Sequence, residues 1–284
     1  MRTRWRPLLV GSLPALALAA AVLVPTAFSP ASAEPAQVDT TRAEQARAED
    51  ARAATARKGP LSVQERARQA ELSQLVLAAP GARPTDEALK ALGFLVVSED
   101  PSQELVATTN SDVTMGTPYV YWDTTYYRYT AVAKYTWDNQ RYGCCGDIGG
   151  DDAFGIRANR AVGNDRGTTG TFSGRPKMFY GTTVVKNPAK NNDYGVVYKY
   201  QDEAHGLCCG KGVDYNMYSG TVTMGVDSPG CKKYTTYFYG EYGHTWSRTD
   251  INSISVGKDG IGFGWSRSDS HWEAASPAGK WNGC

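Results

Sequence analysis

One stretch, residues 234–265, constrains the fold of this chain most strongly, because its residues alternate as they do in β-strands. Within YTTYFYGEYGHTW, alternation places Tyr242 and His244 on one face of a strand and Glu241 on the other. The next segment, NSISVGKDGIGFGW, predicts a β-hairpin, since the Asp-Gly pair at 259–260 favours the positive φ angles of a two-residue turn. The stretch therefore predicts antiparallel sheet.

Short alternating segments recur along the chain from residue 108 onward. About ten such segments are separated by turns rich in Asn, Asp, Gly and Pro, with no helical period among them. A parallel sheet would need crossover helices, which this region lacks. The sequence therefore predicts an all-β fold, an antiparallel β-sandwich or jelly-roll-like domain, preceded by a small helical N-terminal segment.

The clearest single strand is predicted for residues 126–137. Aromatic and alanine side chains face one way, whereas Arg128, Thr130 and Lys134 face the other. This pattern is typical of a strand with one buried face and one solvent-exposed face.

The first 33 residues have the pattern of a secretory signal peptide. Three arginines precede an apolar run at 8–23, and Ala-Ser-Ala at 31–33 forms a cleavage site. Cleavage after Ala33 would make the protein secreted and extracellular, and no later run is apolar enough to span a membrane. The 30 Lys and Arg, minus the three of residues 1–33, leave 27 against 29 Asp and Glu, a formal charge of −2. This balance gives no electrostatic reason to expect nucleic acid or an anionic membrane as a partner.

Composition changes near residue 107, which we take as a domain boundary between residues 34–107 and 108–284. The first part is rich in Ala, Arg and Glu, whereas all 17 tyrosines follow it. Ser62 and Glu65 form a capping box before an apolar stripe that includes Leu72 and Val76, which predicts an amphipathic helix. A short helix from residue 85 or 86 and a strand at 94–97 follow. Residues 34–107 are a pro-segment, a linker or a docked subdomain.

All six cysteines lie in the second part, and their even number in an exported chain predicts three disulfide bonds. We expect one bond between the two Cys-Cys turns, and bonds from the remaining cysteine of each turn to the two others. A metal site at these cysteines is the alternative, which the oxidising setting disfavours. The six are Cys144, Cys145, Cys208, Cys209, Cys231 and Cys284.

Candidate catalytic residues are few, because the chain has three histidines and lacks the common zinc protease, hydrolase and nucleotide-binding motifs. Glu241 and His244 could perform acid–base chemistry on a polysaccharide. Alternation places them on opposite faces, however, and a histidine in an aromatic strand is commonly a core residue with one hydrogen bond.

Two further sets of residues are candidates for binding. Asp147, Asp151 and Asp152 in a glycine-rich loop are calcium candidates, although turns select aspartate for backbone reasons alone. The aromatics Trp122, Tyr126, Tyr239 and Trp272 could stack on sugars or anchor a protein, although aromatics are also ordinary strand residues. We expect no cofactor.

The aromatic β domain behind an Ala/Arg-rich leader resembles secreted β-rich proteins of actinomycetes, mainly through the stretch YGHTWSRTDINSISVGKDGIGFGWS. The resemblance implies export and a disulfide-stabilised sheet, and it implies no activity. We therefore expect a secreted extracellular binding or interaction module for a glycan or protein partner. The alternatives are a secreted carbohydrate-active enzyme, a hydrolase or lyase, and an exported toxin or antimicrobial protein with an N-terminal pro-segment.

Overall fold

The computed structural model describes twelve ranges of the chain. These are residues 44–45, 47–48, 51–52, 56, 60–81, 83–99, 112–138, 150–165, 169–175, 179–205, 214–227 and 234–283. The predicted signal peptide and all six cysteines lie outside these ranges. Export and the three disulfide bonds therefore stay predictions.

The described residues include two continuous helices and seventeen strands, and residues 44–45, 47–48 and 51–52 are also helical. The helices are α1 (Val63–Ala78) and α2 (Asp86–Ala91). The strands are β1 (Phe94–Val96), β2 (Val113–Asp123), β3 (Arg128–Trp137), β4 (Asp151–Ala158), β5 (Asn164–Asp165), β6 (Gly170–Ser173), β7 (Thr182–Val185), β8 (Lys190–Asn192), β9 (Gly195–Gln201), β10 (Ala204–His205), β11 (Asp214–Tyr215), β12 (Ser219–Val226), β13 (Thr236–Thr245), β14 (Ile251–Val256), β15 (Ile261–Trp265), β16 (His271–Ala275) and β17 (Gly279–Trp281).

Two antiparallel sheets face each other in a sandwich-like arrangement. The first has the order β1-β2-β3-β12-β6-β7, with β5 beside β12, and the second has the order β16-β13-β4-β9-β8, with β17 beside β13. Inner faces of both sheets supply one buried cluster, in which Tyr135 of β3 lies 4.8 Å from Phe154 of β4 and 4.5 Å from Tyr242 of β13. The predicted fold class is confirmed.

A third layer, the hairpin β14–β15, covers the outer face of the second sheet. Ile251, Ile261 and Phe263 of the hairpin cluster with Ala153 and Val197 of the sheet. The hairpin is confirmed, but the turn prediction is wrong. Gly257 N–H bonds the Gly260 carbonyl at 3.0 Å, so Lys258 and Asp259 form the turn, and neither Asp259 nor Gly260 has a positive φ.

Helix α1 covers the outer face of the first sheet. Its N-terminus has the predicted capping box, and Leu72 and Val76 pack on Tyr121 and Val132. Beside these apolar contacts, the Ser73 hydroxyl lies 3.0 Å from that of Thr171 and 2.7 Å from that of Thr221.

The helix also changes the environment of β3. Arg128, Thr130 and Lys134 are buried, and Arg128 meets Glu65 of α1 at 3.0 Å. The solvent-exposed face predicted for this strand is therefore wrong, because a segment about 60 residues earlier in the chain covers it.

The predicted boundary at residue 107 lies outside the described residues and stays a prediction. The short helix starts with Thr85 as its cap, as expected, and β1 pairs with β2 from Phe94↔Asp123 to Val96↔Tyr121. Residues 60–99 thus add a helix and an edge strand to the first sheet. Whether cleavage removes them stays open.

Candidate functional site

Three buried ionisable side chains meet at one end of the inner face of the second sheet. Asp152 belongs to β4, Asp202 follows β9, and His244 belongs to β13; these side chains are 0%, 4% and 1% exposed. The strands are neighbours, and alternation turns all three side chains toward the first sheet. One ligand atom from each lies within 4.8 Å of the others. We call these residues the Asp-Asp-His cluster.

Asp152 is the most fully hydrogen-bonded member. One carboxylate oxygen accepts from the Tyr242 hydroxyl and lies 2.8 Å from Nδ1 of His244, and the other accepts from the Thr245 backbone N–H at 2.9 Å. These contacts give both carboxylate oxygens of Asp152 a hydrogen-bond partner in a region that excludes water.

Asp202 lies in a less favourable environment. Burial raises the pKa of its carboxyl well above the ordinary value, the charge of Asp152 raises it further, and a backbone hydrogen bond with Met217 opposes them. Its Oδ1 is buried and has no hydrogen-bond partner among the described residues. Such an atom is costly unless a proton or another ligand satisfies it.

Aromatic rings enclose the imidazole of His244. The ring centroids of Trp137, Trp246 and Trp272 lie 5.0, 5.5 and 5.1 Å from its own. Burial also raises the pKa of the Tyr242 phenol well above its usual value, as does the nearby Asp152. The cluster is thus a group of polar side chains surrounded by the aromatic side chains of the core.

The two predicted catalytic residues do not converge. His244 faces the sandwich interior, whereas Glu241 is on the other face and forms a buried ion pair with Arg157. Glu241 also accepts the backbone N–H of Ile261 at 2.6 Å. Acid–base chemistry between Glu241 and His244 has no geometric basis here.

The four predicted binding aromatics are scattered. Trp122 is 4% exposed in the core, so the exposure expected of it is wrong; its ring packs 4.6 Å from that of Tyr129. Tyr126 is half-buried in the β2–β3 turn, and Tyr239 lies beneath the guanidinium of Arg157 at 4.1 Å. Trp272 is half-buried against His244. Their binding roles stay predictions.

The proposed calcium group is not assembled by the described aspartates. Asp147 lies outside the described residues. Asp151 and Asp152 are consecutive in β4 and face opposite ways, and Asp151 pairs with Lys199 at 2.5 Å. The grouping of these two residues is therefore wrong.

Sequence reasoning missed an exposed surface on β7 and its neighbours. Phe179 is 56% and Val184 is 37% exposed, and Lys186 and Lys190 are also exposed. We call these four residues the β7 patch. Its signal in the sequence is the absence of any acidic residue from 166 to 190, a range that holds five basic residues.

Comparisons with known proteins assign no family to the chain. No protein-family model and no curated protein matches it. A solved structure described as "Pore forming protein" aligns over 64% of this chain and 90% of its own, with a TM-score of 0.30 and 8% identity. The Clostridium perfringens NetB toxin in the membrane-inserted form aligns over 63% and 93%, with a TM-score of 0.25 and 9% identity. Fold and site define the chain only as an antiparallel β-sandwich-like protein with a buried Asp-Asp-His cluster.

Proposed function

We propose that the protein is an exported interaction module that binds anionic membrane surfaces through the β7 patch. The observation that carries this proposal is the exposure of Phe179 and Val184 beside two exposed lysines. Aromatic and aliphatic side chains enter the interfacial region of a bilayer, while lysines pair with anionic headgroups. The partner is thus an anionic lipid surface rather than the glycan or protein expected from the sequence.

The position of the patch suits contact with a flat surface. β7 is the last strand in the order of the first sheet, and β8, which carries Lys190, is the last strand in that of the second. The two strands follow each other in the chain, so one side of the sandwich presents the patch. Among the described residues, no helix is long and apolar enough to cross a bilayer.

For binding to an anionic surface, the local charge near the β7 patch matters more than the net charge of the whole chain. The formal charge of the full sequence is +1, yet Arg166, Arg175, Lys177, Lys186 and Lys190 occur with no acidic residue among them. Each basic residue near an anionic leaflet contributes about 1 kcal/mol at physiological ionic strength. A local basic segment can therefore attract a surface that the net charge would not.

Vesicle co-sedimentation tests this proposal. The protein is mixed with phosphatidylcholine vesicles with or without phosphatidylglycerol, and binding to the anionic vesicles alone is expected. Phe179→Ser with Val184→Ser, and separately Lys186→Gln with Lys190→Gln, should weaken binding at least about tenfold. Added salt should weaken binding of the wild type more than that of the lysine variant, which keeps three of the five basic residues.

Matched controls come from exposed residues outside the patch. Val63→Ser removes an apolar side chain that is 70% exposed on α1, and Lys258→Gln removes an exposed lysine in the β14–β15 turn. Both should bind like the wild type. Equal binding by the patch variants and these controls, or equal binding to both kinds of vesicle, would refute the proposal.

A second candidate is an exported toxin or antimicrobial protein restrained by residues 34–107. The observation that favours it is that the interface between α1 and the first sheet is partly polar. It includes the hydrogen bond between the hydroxyl groups of Ser73 and Thr221 and, separately, the Glu65–Arg128 ion pair. Polar interfaces are typical of partners that can separate.

Whether residues 34–107 hold the β domain inactive is tested with folded protein into which a specific protease site has been introduced after residue 107. Leakage of dye from anionic vesicles is compared for uncleaved protein, cleaved protein, and cleaved protein from which the segment has been separated. This candidate requires leakage from the separated β domain alone. Equal leakage from all three samples, or none from any, removes it.

A further inference from the structure

We propose that Asp152, Asp202 and His244 form a binding site for one divalent transition-metal ion, for which zinc is the reference. This inference is independent of the membrane proposal. It also departs from the cofactor-free protein expected from the sequence.

The ligand set matches zinc better than the hard cations. One imidazole nitrogen and two carboxylate oxygens are common zinc ligands, and three protein ligands leave a fourth tetrahedral position for water. Calcium takes six to eight oxygen ligands, which this nitrogen-containing set of three does not supply.

The spacing of the three groups suits a single ion. Their ligand atoms lie within 4.8 Å of one another. Tetrahedral ligands of zinc lie about 3.4 Å apart, given metal–ligand distances near 2.1 Å. Side-chain rotations would complete the site by bringing the most distant atoms closer by roughly 1.4 Å and by moving Asp152 Oδ2 and His244 Nδ1, now 2.8 Å apart in a hydrogen bond, away from each other by roughly 0.6 Å.

A separate observation points to a ligand at this place. Asp202 is 4% exposed, and within the part of the chain that the structure describes its Oδ1 has no hydrogen-bond partner. Buried carboxylate oxygens are nearly always satisfied by a donor or a metal. The atom belongs to one of the three residues that already converge.

A metal ion and a shared proton would neutralise the charge of the cluster to different extents. A divalent cation bound by two carboxylates would neutralise the charge of both in a core that excludes water. The alternative is a protonated Asp202, which neutralises one. Both states are physically reasonable, but only the first binds zinc.

The residues around the cluster are suited to support a metal site. The Tyr242 hydroxyl and the Thr245 N–H fix the carboxylate of Asp152 from outside. Trp137 and Trp246 pack against the imidazole of His244. Such surroundings orient the ligands and exclude competing water.

Metal analysis of the purified full-length protein tests the proposal. Thiols are first blocked with N-ethylmaleimide, so that the cysteines cannot bind metal. The protein is treated with chelator, incubated with zinc and passed through gel filtration, and metal is then measured by mass spectrometry. About one zinc per chain should remain, and the melting temperature should rise with zinc concentration.

Variants locate the bound ion. Asp202→Asn and His244→Gln should each lose the zinc and the zinc-dependent rise in melting temperature. His205→Gln, which removes an exposed histidine on β10, should keep both. Cobalt binding to the wild type tests the site without any variant, since cobalt bound in a tetrahedral site absorbs visible light strongly.

The results of these measurements distinguish a cluster that binds a metal ion from one whose carboxylates share a proton. Wild-type protein that retains no zinc, and whose melting temperature does not respond to it, overturns the proposal. The same holds if Asp202→Asn binds as much zinc as the wild type. A metal-free Asp202→Asn variant more stable than the wild type, together with no zinc in either, would assign the cluster to a shared proton.

Discussion

Glu241 illustrates how a candidate catalytic carboxylate can be structural. It lies between Arg157 and the backbone of Ile261, and Arg157 also donates to the Lys258 carbonyl at 3.0 Å. The pair therefore links β4 and β13 to the covering hairpin. A carboxylate with both oxygens engaged has none directed at a substrate.

Neutralising Glu241 should cost stability. Glu241→Gln leaves the buried guanidinium of Arg157 without its counter-charge, so the free energy of unfolding should fall by roughly 3 kcal/mol. Urea denaturation at pH 7 measures this loss. Glu273→Gln is the matched control, because Glu273 is exposed on the neighbouring β16, and partial desolvation and the charge of Glu241 raise the pKa of its carboxyl, so neutralisation costs little. Similar losses in the two variants would contradict the structural role of Glu241.

At the scale of elements, α1 depends on a few apolar contacts for its position. Leu72 is fully buried with Val76, Tyr121 and Val132. Leu72→Ala should lower the free energy of unfolding by about 2 to 5 kcal/mol, since it removes a buried side chain and leaves a cavity. Limited proteolysis within α1 should accelerate in parallel. Val63→Ala, at an exposed position of the same helix, should change neither, and an unaffected Leu72→Ala would contradict this docking.

Docking of α1 should also depend on pH through Glu65. Burial raises the pKa of this carboxyl, but hydrogen bonds from the Ser62 backbone and from Arg128 outweigh it, so the pKa is lowered. Arg128 also faces Asp227 at 3.8 Å. A lowered folded-state pKa stabilises the fold above the unfolded-state value, about 4.3, and this contribution disappears as pH falls through the folded-state value.

Hydrogen exchange of the α1 amides, measured from pH 7 to pH 3 and corrected for intrinsic rates, checks this dependence. Protection should fall in the wild type below about pH 4. Glu65→Gln should be less stable at pH 7 by about 1 to 3 kcal/mol and should lack most of the acid-dependent step. An unchanged pH profile in Glu65→Gln would assign the step to another group.

At the scale of the whole molecule, predictions succeeded where they depended on local pattern. The capping box at Ser62, the cap at Thr85 and the hairpin after Ile251 each depend on residues close in sequence. Apart from the turn expected at Asp259-Gly260, which was a local failure, failures came from long-range packing. Asp202 was missed because its approach to Asp152 depends on the pairing of β4 with β9, which alternation within one strand does not specify. Trp122 was misplaced because sheet-to-sheet packing decides which aromatics are buried.

The same long-range packing predicts how the N-terminal segment behaves after cleavage. Residues 60–99 are held to the β domain by the apolar cluster around Leu72, by the Glu65–Arg128 pair and by β1 pairing with β2. Their loss would expose a contiguous apolar surface that includes Tyr121 and Val132, so separation is unfavourable in water. The segment should therefore stay bound after cleavage at residue 107 at neutral pH.

Gel filtration with intact-mass analysis of protein cleaved after residue 107 tests this prediction. At pH 7 the two fragments should co-elute, and below about pH 4 they should separate more readily, because protonated Glu65 no longer pairs with Arg128. Cleaved Leu72→Ala should separate at pH 7, while cleaved Val63→Ala should behave as the wild type.

N-terminal sequencing of protein from culture medium shows whether the segment is removed naturally. A start at Glu34 would make the segment a permanent subdomain. A start near residue 108, with rapid loss of the segment at pH 7, would contradict the predicted tight docking and favour the restrained toxin.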